Sequence, residues 1–85
     1  MKISIARSEP ILRDNKCFAS KVGFNIGGSQ TKVSIHDDFL TQRLGRVPDD
    51  IKSAIWELES TICALLRQKL EDNPSIDNLE ILPGE

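Results

Sequence analysis

Apolar and polar positions keep two different periods along this chain, two residues in its first half and close to 3.6 in its second. Ile3 and Ile5 alternate with Ser4 and Ala6, which predicts a strand over 2–7. A polar loop through Pro10 and Asp14-Asn15 follows. Over 18–26 the alternation is nearly strict. Phe18, Val22, Phe24 and Ile26 fall on one face, with Ser20 the lapse, and Cys17, Ala19, Lys21, Gly23 and Asn25 fall on the other. Gly27-Gly28-Ser29-Gln30 is a turn signal, and alternation resumes over 31–36 with Thr31, Val33 and Ile35 inward. These two strands make a hairpin. Parity admits a two-residue loop, pairing Phe24 with Thr31, or a four-residue loop, pairing Phe24 with Val33. The four-residue loop is preferred because its inward pairs are more apolar.

The helical period begins after a short turn over 38–44, with Asp37 as its cap and Gly45 as its stop. A single long helix is then predicted over 48–73. Pro48 suits a first helical position, Asp49 and Asp50 complement the positive end of the dipole, and Arg67 and Lys69 complement the other end. Asn73 can take a left-handed cap and Pro74 cannot continue the ladder. Ile51, Ala54, Ile55, Leu58, Ile62, Leu65 and Leu66 form the core stripe. Trp56, Cys63 and Leu70 add a second row spaced by sevens, interrupted by Lys52 and Glu59. The apolar arc thereby reaches roughly 200°, where a surface helix typically buries upwards of about 100°. Ser53, Glu57, Ser60, Arg67, Gln68 and Glu71 occupy the solvated face.

These elements predict an α+β domain, a small antiparallel sheet of about three strands packed on one long helix. A fourth, short C-terminal strand over 78–82 is possible, the alternative for 74–85 being a loosely ordered acidic tail. With 85 residues the chain is read as one domain with one modest core. No apolar run approaches the roughly 20 residues of a membrane-spanning helix. The start, 1–7, is too short in its apolar part for a signal peptide, so a cytoplasmic location is expected. Cys17 and Cys63 do not make a disulfide framework and are read as small hydrophobes.

Charge divides the chain. Residues 1–47 hold eight Lys or Arg against four Asp or Glu, and residues 48–85 hold three against nine, so +4 and −6 sum to the net −2. The two halves therefore attract each other, or the basic half faces nucleic acid.

Chemistry-bearing patterns are sparse. His36-Asp37-Asp38 lacks the third and fourth converging ligands that a metal requires, and an acidic cap explains the aspartates. Cys63 lies on a helix side, not at a terminus that would activate its thiol. Gly27-Gly28 lacks the lysine and helix start of a phosphate loop. No enzyme activity, cofactor or metal is expected.

The second helical row carries the functional expectation. Trp56, Cys63 and Leu70, with Lys52 and Glu59 as polar rim, are covered either by the chain's own tail or early Ile11 and Leu12, or by another chain. The composition of a tryptophan among aliphatics rimmed by charge favours an interface. The expected function is a protein-interaction module, a regulator, adaptor or inhibitor, acting as a homodimer through the long helix. The alternative is a nucleic-acid or acidic-partner face at Lys21, Lys32 and Ser34. Residues 31–70, strand then short helix then long helix, superficially resemble a ribbon-helix-helix repressor, a likeness that implies paired strands of a dimer in the major groove.

Overall fold

A computed structural model describes residues 2–76 and 78–85. Asp77, within the tail considered above, and Met1 lie outside the described residues. The chain forms β1 (Ile3–Ile5), β2 (Leu12–Asp14), β3 (Ala19–Ile26), β4 (Ser29–His36), α1 (Asp37–Leu44), α2 (Ile51–Glu57), α3 (Glu59–Asp72) and β5 (Leu79–Ile81). The α+β class expected from the alternating periods is the one observed. Among the described residues the sheet has five strands, more than expected, and it is mixed.

Strands β3 and β4 form the central hairpin, with Val22 opposite Val33 and Phe24 opposite Thr31. The loop thus has two residues, and the preference for four is corrected. Gly27 and Gly28 both have positive φ, 57° and 88°. Such a turn twists in the same sense as its flanking strands, which outweighs the more apolar pairing of the longer loop. β4 occupies one edge of β3 along its whole length, so β1 and β2 share the other edge in succession. β1 pairs with 24–26 and β2 with 19–21, both antiparallel. β2 stands where the pattern predicts a loop, because its apolar residue, Leu12, faces outward and is half exposed.

β5 returns parallel to β4, with Leu79 opposite Val33 and Ile81 opposite Ile35. A parallel neighbour requires a long crossover, and all three helices lie within it. With β3 on one side and β5 on the other, β4 is an interior strand. The ribbon-helix-helix likeness fails here, because that arrangement needs a free edge to pair across a dimer.

One face of the sheet carries the core. Val22, Phe24, Val33, Ile35, Leu79 and Ile81 pack against Phe39 and Leu40 of α1, Ala54 and Ile55 of α2, and Ile62 and Leu66 of α3. Ser20, the lapse in the alternation, is fully buried on this face, and its hydroxyl accepts a hydrogen bond from Arg13 Nη1 at 2.9 Å.

Four details of the helical half differ from expectation. The long helix is divided at Leu58, whose φ of −96° and ψ of 12° are not helical. Glu59, the next residue, is held by β1, which fixes the chain at this point. Pro48 stands outside the helix, and Asp50 is the true N-cap, accepting from the Lys52 amide and from the Ser53 hydroxyl. Asn73 ends α3 with φ −147°, not in a left-handed cap, and its side chain accepts from the Ser75 amide. At α1 the cap position is His36, with no side-chain cap bond, and Asp37 lies in the first turn, its carboxylate taken by Arg13.

The Ser53 hydroxyl bonded to Asp50 holds that carboxyl below the usual Asp value. A depressed folded-state pKa contributes stability that is fully present above the ordinary value, near pH 4, and is lost as pH falls through the lowered one. Asp50→Asn keeps a capping oxygen that does not titrate. It is expected to flatten the acid arm of melting temperature against pH below about pH 4, while leaving the melt at pH 7 nearly unchanged.

Phe18 begins the β3 register yet stands outside it, with φ of +50° and 69% of its surface exposed. A bulky side chain in the left-handed region costs roughly 1–2 kcal/mol, and glycine gives back part of the relief as unfolded-state entropy. Phe18→Gly is therefore expected to stabilise the fold by about 1 kcal/mol, a rise of roughly 4–8 °C in melting temperature for a domain of this size. Thermal unfolding followed by circular dichroism reads it.

Candidate functional site

The segment 6–11, between β1 and β2, leaves the edge of β3 and stands opposite α2. Its first residue still bonds to the sheet, the Ala6 amide donating to the Gly23 carbonyl at 2.9 Å, and the Glu9 amide closes a turn back to the Ala6 carbonyl at 3.0 Å. Gly23 beneath it allows this close approach, since a Cβ there would stand 3.3 Å from the Glu9 Cβ, a tight contact that Glu9 would have to relieve by a few tenths of an ångström. A groove of about 310 Å³ opens between this segment and α2.

Its apolar walls come from Ile5, Ile11, Val22, Ile51 and Trp56, and its charged walls from Arg7, Glu9, Arg13 and Lys52. Trp56 is half-buried. The Arg7 guanidinium lies 4.7 Å from the centre of its ring and the Lys52 ammonium 4.6 Å, both within cation–π range. Arg7 is anchored on Glu59 at 2.6 Å. The other Glu59 oxygen accepts the Ile5 amide at 3.1 Å. A helix carboxylate thus takes up an outward N–H of the edge strand β1, which would otherwise be open to another strand. Arg13 makes a two-pronged pair with Asp37 at 2.7 and 2.9 Å, tying the second groove wall to α1.

Of the residues expected to act together, Lys52, Trp56 and Glu59 are brought into one place, with Arg7 as the link. Cys63 and Leu70 are not among the groove walls; both are half-buried and pack against the edge of the core. The tail does not lie over Trp56 but in the sheet, as β5. The large apolar side chains left most exposed are instead Leu12, Phe18, Val47 and Leu82.

Lys21, Lys32 and Ser34 lie on the outer face of the sheet, where they line a groove of about 260 Å³. Glu80 shares it, opposite Ser34 in the β4–β5 register.

Of the two covers offered within the chain, early Ile11 shares the groove with Trp56, whereas Arg7, Glu9 and Arg13 were missed as partners of the tryptophan. No local motif marks them. The opposed charge of the two halves bore on Arg7 alone, through its pair with Glu59, since Arg13 pairs with Asp37 inside the basic half.

Both cysteines are free. The Cys17 thiol is pushed above its ordinary value by its bond to the Asp14 carboxylate, and Cys63 is pushed up by burial. Neither is the lowered thiol of an activated nucleophile. Among the described residues, no three His, Cys, Asp or Glu side chains are grouped to hold a metal. No described helix is long and apolar enough to cross a membrane.

Fold and site together define a small α+β protein, a mixed five-stranded sheet covered on one face by three helices and carrying an apolar groove at one edge. A solved protein of unknown function from Shewanella loihica, of the DUF1488 family, has a similar fold, with a TM-score of 0.63 over 95% of this chain and 92% of that one. Sequence identity is 11%, so the likeness is one of fold. No protein-family model and no curated protein matches the chain.

Proposed function

We propose that the chain is a non-enzymatic protein-interaction module, a small cytoplasmic regulator, adaptor or inhibitor, whose contact site is the Trp56 groove. The observation that supports this most is a half-buried tryptophan held between two cations at an apolar groove. Tryptophan and arginine are the residues most enriched among energetic anchors of interfaces. A half-buried ring already held in place loses little conformational freedom when a partner covers it.

Association with a second copy through Trp56, Cys63 and Leu70 has less support, because all three already pack partly against the core. The nucleic-acid alternative at Lys21, Lys32 and Ser34 also has less support, since the Glu80 carboxylate in that groove would repel a phosphate backbone.

A photo-activated cross-linker placed at position 10, exposed on the groove wall, is expected to trap a partner protein in the native host, and one at Ser60, on the solvated face of α3, is expected not to. Trp56→Ala should weaken the complex at least tenfold. Equal trapping from both positions would overturn the assignment of the groove. Sedimentation across a dilution series identifies a partner that is a second copy, and a monomer is expected throughout.

A further inference from the structure

We propose that the occupant of the groove is a short acidic–apolar peptide segment of a partner protein, a large apolar side chain seated against Trp56 and Ile11 and a neighbouring carboxylate on Lys52. This rests on the reading of the groove as a protein-contact site.

Charge on the walls points to it. Arg7, Arg13 and Lys52 stand against a single carboxylate, Glu9. Arg7 and Arg13 are each satisfied from outside the walls, by Glu59 and by Asp37. Lys52 differs. Among the described residues no carboxylate lies within ion-pair distance of its ammonium, which rests on the Trp56 ring and is exposed. The available cation therefore stands directly beside the aromatic anchor. Glu9 disfavours a second carboxylate on the opposite wall, so the occupant's acid and its apolar side chain are given a direction.

Size sets the rest. A volume of about 310 Å³ is near the lower bound of roughly 300–1,000 Å³ for small-ligand sites. It takes about one or two side chains of an extended segment, not the face of a helix, which would need a row of pockets at helical spacing. A carboxylate on an exposed lysine acts mainly through steering and orientation, so the interaction must weaken with ionic strength.

Random displayed peptides selected against the whole chain test the proposal, with affinities read from the fluorescence of Trp56, the single tryptophan. Enriched peptides are expected to carry a large apolar residue within two positions of Asp or Glu. They should lose at least tenfold in affinity on Lys52→Glu, retain most of it on Lys52→Arg, and weaken with added salt. Lys52 is exposed, and circular dichroism of the variants checks that they fold. Peptides that perturb Trp56 but carry no acid, or bind Lys52→Glu unchanged, would overturn the proposed occupant and leave the contact site standing. Peptides that bind without perturbing Trp56, or a selection with no enrichment, would overturn both.

Discussion

A chain ending at Ile76 is expected to lose its cooperative thermal transition. β5 contributes Leu79 and Ile81 to the core, at 4% and 0% exposure, each opposite a fully buried residue of β4. Burying one such side chain is worth roughly 1.5–3 kcal/mol, so the two together supply about 3–6 kcal/mol before the lost ladder bonds are counted. Total stabilities run about 5–15 kcal/mol, and a domain this short belongs toward the lower end. Truncation also bares the edge of β4, a long and partly apolar strand, and so invites association. Circular dichroism should show a broad, noncooperative melt, with larger species in sedimentation. Ile81→Ala, milder and with the tail intact, should cost about 2–5 kcal/mol. A sharp transition near that of the full chain would mean that the tail is dispensable.

Phe24→Ala is expected to cost about 3–5 kcal/mol, the range for truncating a buried phenylalanine. Phe24 is fully buried in β3, with Ile5 beside it on β1 and Thr31 on β4. The midpoint of urea unfolding should fall sharply while the slope is kept, since the surface exposed on unfolding hardly changes. The groove provides a second readout, because Ile5 and Val22, next to Phe24 across and along the sheet, line its floor. Phe24→Leu keeps most of the volume and should recover much of the loss.

Both predictions depend on residues whose roles were legible to different degrees. Phe24 could be placed inward from alternation alone, because a strand with one face in water must repeat every two residues. The burial of Leu79 and Ile81 was within reach of the pattern, but their parallel pairing with β4 was not, since it depends on where a crossover of some forty residues ends. Leu12 and Phe18 misled in the opposite direction. Each is apolar and exposed, one on the outer face of a short edge strand and the other held by its turn in a left-handed conformation.

The candidate site was half legible. Trp56 stood out because its row exceeded the arc a core-facing helix needs, and Lys52 and Glu59 were recognisable as its polar neighbours by helical spacing. Of what lies opposite, only Ile11 was offered by the sequence. Arg7 and Arg13 are more than forty residues from Trp56, and they reach it because β1 and β2 divide one edge of β3 and the segment between them bulges away. Nor could the break at Leu58 be seen, for no proline or glycine marks it; Glu59's bonds to Ile5 and Arg7 are tertiary.

By itself, then, the sequence determined most of the periodic elements, the core-facing sides of the hairpin and helices, and the tryptophan row that exceeds them, because periodicity and local turn chemistry act over a few residues. Tertiary structure alone decided the order of the strands, the direction of the last one, and the groove that gives Trp56 its surroundings. Those depend on which distant backbone groups find each other, and on which charges of the basic half meet the acidic half. Such choices are made by the packing of whole elements, and no stretch of a few residues contains them.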